Sequence, residues 1–112
     1  RVEYKNKSVC YITDHEHKTG KINKELINFV KNSNVLIYDS TYDDDEFSDY
    51  IGWGHSTWQE GGRLAKNAGV EKYFIFHHSP DNDDIKLSKL ELKSKQKHNN
   101  FFVAKEGMCV NI

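Results

Sequence analysis

Two continuous apolar runs, "VLIYD" over residues 35–39 and "YFIF" over 73–76, constrain the architecture of this chain more than any other feature. Both are too short for a helix, and neither shows the alternation of a strand with one wet face. A strand that is apolar on both faces must be covered on both, which is the habit of strands in α/β layers. Stretches of helical period lie around them. Residues 21–32 carry Ile22, Leu26, Phe29 and Val30, spaced to line one face of an amphipathic helix. Residues 57–68 follow Ser56 and Thr57, either of which can cap a helix, with Glu60 near the capping-box position and Gly69 placed to end it. Leu64, Ala65 and Ala68 then face the core, while Gly61 and Gly62 work against the helix. "DNDD" offers caps for a Lys-rich helix over 84–97.

Residues 1–5 and 8–13 read as two strands around the turn "KNK", and "FFVAKEGMCVNI" reads as a strand, a Glu-Gly turn and a strand. The order is therefore β-β-α-β-α-β-α-β-β, a mixed β-sheet flanked by helices in one small α/β domain of 112 residues. The 16 Lys and Arg balance 17 Asp and Glu, so no global field draws the chain to nucleic acid or a membrane surface. No apolar run is long enough to span a bilayer. Cys10 and Cys109 both lie in strand-like segments and lack zinc-finger spacing, which predicts buried thiols in a reducing cytoplasm. The acidic 43–46 and the Lys-rich 86–97 are expected to be solvated faces. The chain opens on Arg1 inside a strand, which suggests a fragment or a processed chain.

In open α/β layers, functional side chains gather at the C-terminal ends of strands. Three predicted strands end in candidates: Thr13-Asp14-His15-Glu16-His17, Tyr38-Asp39 and His77-His78. His55 sits between two glycines, Gly52 and Gly54, and a helix N-terminus. Carboxylates and imidazoles converging at one sheet edge suit zinc, manganese or iron. Packing does not explain why an apolar strand should run straight into His77, whereas His98, in a Lys/Asn-rich tail, belongs to the surface.

The segments "CYITDHEH", "VLIYDSTYDDDEF", "GWGHSTWQEGGRLAKNAGVEKYFIFHHSPDNDD" and "AKEGM" occur in this order. Together they resemble the C-terminal half of a metallo-β-lactamase-fold hydrolase, in the branch that holds ribonuclease Z and the phosphonate-pathway cyclic phosphodiesterase. The resemblance covers nearly all of residues 1–112 and is most specific from Gly52 to Asp84. It implies half of an αββα sandwich with a dinuclear metal site at one edge. Asp14 would be the metal-bridging aspartate and His77 the final ligand histidine. His55 would donate a proton to the leaving group, and Asp39 would be a supporting carboxylate. His15 and His78 have no counterpart and would stand behind the ligands.

The signature HxHxDH, which supplies the family's other ligands, is absent from the chain. The resemblance places it before Arg1, so these residues would hold half a site and the isolated chain would be inactive. The missing half, or a second copy, is then the expected partner. Once completed, the implied reaction is hydrolysis of a cyclic or short phosphodiester with two divalent ions, zinc foremost. Trp53 and Trp58 are available to stack on a base. RNA is disfavoured by the balanced charge. Two other readings stay open: a thioesterase or lactonase of the same fold, and a non-catalytic binding or assembly module.

Overall fold

The computed structural model describes residues 1–112, with a five-stranded sheet in sequential order. Strands β1 (Val2–Tyr4) and β2 (Lys7–Ile12) pair antiparallel through the turn at Lys5 and Asn6, both at positive φ. Strands β3 (Val35–Asp39), β4 (Lys72–Phe76) and β5 (Phe101–Val103) add in parallel, each reached through a helix: α1 (Lys24–Val30), α2 (Trp58–Ala68) and α3 (Asp84–Lys97). A 3₁₀ turn, Phe47–Tyr50, precedes α2. The predicted mixed sheet with flanking helices is the observed one.

The helix ends follow the local chemistry. Asn23 accepts from Leu26 N, Thr57 from Glu60 N and Asp83 from Lys86 N, each satisfying an orphan amide of the first turn. Gly69 closes α2 at φ 68°, a left-handed cap that costs glycine little.

One face of the sheet and the inner faces of α1 and α2 form the core, from Cys10, Ile12, Leu36, Tyr38, Tyr73, Ile75, Phe101 and Val103 against Val30, Trp58, Leu64, Ala65 and Ala68. The two glycines that weaken α2 as a helix are required by this packing. A Cβ on Gly61 would overlap the Tyr73 ring and come within 2.7 Å of Tyr38 Cδ1, and one on Gly62 would come within 2.7 Å of Phe101 Cε2. The other sheet face pairs Tyr11 with Phe76 and Phe74 with Phe102, and leaves Tyr11 53% exposed.

Four expectations need correction. The first helix begins at Lys24, not at residue 21, because Asn23 caps it, and Ile22 is left exposed in the loop before it. No strand follows β5: residues 104–112 form a tail held by Lys72 Nζ on the Asn111 carbonyl. Cys109 lies in that tail and is exposed, whereas Cys10 is buried as expected. The acidic 43–46 is not simply a solvated face. Asp43 accepts from Trp58 Nε1 at 3.0 Å, and Asp44 takes both the Thr57 hydroxyl and the Arg63 guanidinium. Burial, the largest single effect, pushes these two carboxyls up, but the bonds and charges acting together, from Trp58, Asp45 N, Gln59 and Lys93 on Asp43 and from Arg63 and Thr57 on Asp44, outweigh it and hold both below the usual carboxylate range.

Candidate metal centre

Because β2, β3 and β4 run parallel, their C-terminal ends fall on one edge of the sheet. The register sets Ile12 beside Tyr38 and Asp39 beside Phe76. The residues that follow, Asp14 and His77, therefore leave the sheet on either side of Asp39. Both sit at positive φ, 49° and 60°. That conformation is uncommon outside glycine and clusters at functional sites.

His55 comes from the loop before α2 and completes the group. One ligand-type atom from each of Asp14, Asp39, His55 and His77 lies within 4.8 Å of all the others. The edge thus brings together Asp14, Asp39, His55 and His77, the four singled out from the sequence for metal binding or catalysis.

The four differ in what they can still bind. Asp39 is fully buried and its carboxylate is heavily engaged. Oδ2 accepts from His55 Nδ1 at 2.8 Å and from His15 N at 3.4 Å, while Oδ1 accepts from the Thr41 hydroxyl at 3.0 Å and from Ser56 N at 3.3 Å. Such a carboxylate orients its neighbours. Asp14 is the opposite: its side chain is 72% exposed, and its Oδ1 stands 3.5 Å from His77 Nε2 and 3.8 Å from His55 Nδ1.

The hydrogen-bond network also assigns the His77 tautomer. The Thr41 hydroxyl faces two obligate acceptors, Asp39 Oδ1 at 3.0 Å and the His77 carbonyl at 2.9 Å, and has one proton to give. Its 2.9 Å contact with His77 Nδ1 is therefore best made by the ring N–H donating to Thr41. That leaves the Nε2 lone pair directed at the Asp14 carboxylate, 3.5 Å away. Two acceptors facing each other repel unless a cation or a proton lies between them. This arrangement, with its nitrogen and oxygen donors, fits a divalent metal of the zinc, manganese or iron kind. The His55 and His77 rings stack at 4.7 Å, fixing one against the other.

The remaining candidates have other roles. His78 points away and its Nε2 donates to the Ala104 carbonyl, tying the end of β4 to the end of β5. His15 contributes its backbone amide to Asp39, while its ring lies edge-on to Tyr38. His98 caps α3 and is half-buried against Phe101, so it is not a free surface side chain. Trp58 is buried in the core, whereas Trp53 is 67% exposed. His17 stacks on Phe47 and bonds to the Ser56 hydroxyl, and burial lowers its pKa from the ordinary histidine value.

Sequence reasoning missed Thr41, and it named Glu16 in the candidate run after β2 without its role. Thr41 lies two residues past Asp39, which was the available signal. The role of Glu16 had none: its Oε1 accepts from Gly52 N at 2.7 Å and Gly54 N at 3.1 Å, a contact between distant loops. It clamps the loop that carries His55 to the loop that carries Asp14. Behind these loops an open cavity of about 1260 Å³ runs between residues 15–27, the 3₁₀ turn and α2.

The chain resembles known proteins along the same lines. It is 32% identical to a ribonuclease Z of Picrophilus torridus over 79% of this chain and 28% of that protein. It is 38% identical to a ribonuclease Z of Halalkalibacterium halodurans over 72% of this chain and 26% of that one. The chain thus spans about a quarter of the length of these curated relatives. Among solved structures, the metallo-beta-lactamase fold protein YhfI from Bacillus subtilis superposes with a TM-score of 0.69 at 25% identity, over 91% of this chain and 39% of that chain. Human tRNase Z, short form, superposes with a TM-score of 0.66 at 20% identity, over 95% and 34%, and bears on the fold alone. The model of the beta-lactamase superfamily domain family matches residues 1–78, and this chain belongs to that family.

Proposed function

We propose that the chain is the C-terminal part of a metal-dependent phosphodiesterase. The observation that carries this reading is the convergence of Asp14, Asp39, His55 and His77 within 4.8 Å at one sheet edge. The ribonuclease Z relatives supply the phosphodiester class. Asp14 and His77 would hold the metal, with further ligands from residues outside these 112. Bound divalent ions, zinc foremost and two in number, would supply Lewis acidity and a water of lowered pKa.

The chain's own residues do the rest. Asp39 accepts the His55 Nδ1 proton at 2.8 Å and holds the imidazole in one orientation, with Nε2 left as the atom that can give a proton. His55 then protonates the leaving oxygen of the diester. Thr41 keeps His77 turned with Nε2 outward.

The balanced charge, 16 basic against 17 acidic side chains, supports a cyclic or short diester over a large folded RNA. The free thiols Cys10 and Cys109 support a cytoplasmic setting. The exposed Tyr11 face of the sheet supports a partner, either the rest of the fold or a second copy.

The deciding experiment joins the chain to the preceding residues of its parent protein. Zinc content is measured by mass spectrometry beside hydrolysis of a nitrophenyl diester and a 2′,3′-cyclic nucleotide. The reading expects bound metal and turnover of both. Metal bound with no cleavage of either diester would sink it in favour of a binding module.

A further inference from the structure

We propose that Trp53 is a stacking platform for the base of the substrate, displayed by a turn that Glu16 holds rigid. The proposal rests on the phosphodiester reading and names the group that the site recognises beside the phosphate.

An indole that is 67% exposed is unusual for the side chain with the most apolar surface to hide. Trp53 is not exposed because its loop is loose. The flanking Gly52 and Gly54 stand at φ 90° and 86°, and both of their amides donate to Glu16 Oε1. Trp53 N itself donates to the Tyr50 carbonyl at 3.1 Å. The turn is thus fastened on both sides of the indole, and the ordering cost that weakens most exposed contacts is already met.

The indole is also joined to the candidate metal centre. It lies edge-on to Tyr50 at 5.9 Å, Tyr50 stacks on Tyr42 at 4.2 Å, and Tyr42 meets the His55 ring edge-on at 6.3 Å. Trp53 is two residues from His55, so their Cα atoms lie within about 7 Å. A diester seated with its leaving oxygen at His55 would therefore carry its base within reach of the indole face. Stacking on an aromatic face tolerates any base, since each has a π-surface. Trp58, the other tryptophan, is buried with its Nε1 on Asp43 and can take no such role.

The test is a nuclear magnetic resonance titration of the full 112-residue chain, which carries only two indole signals. The probes are adenosine 2′,3′-cyclic phosphate and the methyl riboside 2′,3′-cyclic phosphate, which lacks a base. The adenosine probe is expected to shift the Trp53 indole N–H and leave Trp58 in place. Trp53→Ala should weaken its binding, read at the Gly54 amide, by about 5- to 100-fold, the range of one base–aromatic stack. Trp53→Phe should retain most of the affinity. The methyl riboside should bind the unaltered chain about as weakly as the adenosine probe binds Trp53→Ala. An unmoved Trp53 signal at saturation, or equal affinity in Trp53→Ala, overturns the platform. The two readings separate in the metal-loaded longer protein. Cleavage of both diesters without a Trp53 shift overturns the platform alone. A Trp53 shift without cleavage keeps the platform and counts against the hydrolase.

Discussion

Asp14 and His77 share a left-handed backbone that their side-chain types alone do not call for. Asp14 gains no hydrogen bond to compensate for it. Replacing it with glycine should relieve the backbone while replacing it with alanine should not, so Asp14→Gly should exceed Asp14→Ala in stability by about 1 kcal/mol. Both should lose metal, and thermal melts beside metal analysis check the pair. His77→Ala should likewise lose metal. In the completed enzyme, His55→Ala should retain metal but slow an alkyl diester by about 10²–10⁴-fold, the usual contribution of a general acid. A nitrophenyl diester needs no proton on its leaving group and should be slowed less, so equal slowing of the two substrates would remove His55 from the donor role. His17 gives a pH signature. Burial lowers its pKa below the ordinary 6.5, so the unfolded chain binds the proton first as pH falls. Stability should be level above that value and should fall as pH drops from it toward the depressed one. Urea midpoints across this window should show the slope, and His17→Gln should flatten it.

Among the elements, α2 departs furthest from local preference and shows why. Its Gly61 and Gly62 each forgo about 1 kcal/mol of helix propensity against alanine. Close approach to Tyr38, Tyr73 and Phe101 outweighs that, because the neighbours are rings buried in the sheet and cannot move aside. Gly61→Ala and Gly62→Ala should therefore destabilise the chain by about 1–3 kcal/mol, the cost of overpacking, where an exposed helix glycine would give a gain. The α2 N-terminus is fastened to the acidic loop through Asp44, Thr57 and Arg63. Asp44 and Arg63 are both more than a third exposed, so solvent screens their pair. Asp44→Asn should cost about 1 kcal/mol near neutral pH, and the difference should vanish as pH falls through the depressed Asp44 value, since the folded-state pKa is lowered.

For the whole molecule, the sequential strand order leaves two unlike sheet faces. One is sealed by α1 and α2. The other shows Tyr11 at 53% exposure beside Phe76, and the edge strand β1 adds Val2 and Tyr4 at 72% and 71%. Apolar surface arranged this way associates in water. Light scattering of the 13.1 kDa chain should report a mass above the monomer, and Tyr11→Lys should lower it. A monomer that unfolds cooperatively would count against an open face awaiting a partner.

The runs "VLIYD" and "YFIF", the caps Asn23, Thr57 and Asp83 and the stop at Gly69 are governed by residues near in sequence, so the α/β order could be read directly from the chain. The strand-end rule put Asp14, Asp39 and His77 at one edge, because parallel strands deliver their ends there, and His55 came from its glycine-rich loop and the family resemblance. Local pattern did not reach the end of the chain, where "AKEGMCVNI" carries strand-like residues but joins neither edge of the sheet. It did not distinguish His77 from His78 either, because one faces the edge and the other a carbonyl of the next strand. Glu16 on Gly52 and Gly54, and Thr41 between Asp39 and His77, are contacts across distant loops or adjacent strands. Periodicity encodes which face a residue takes along one element. Which groups meet across several elements depends on the sheet register and the paths of the loops, and only the folded chain sets those.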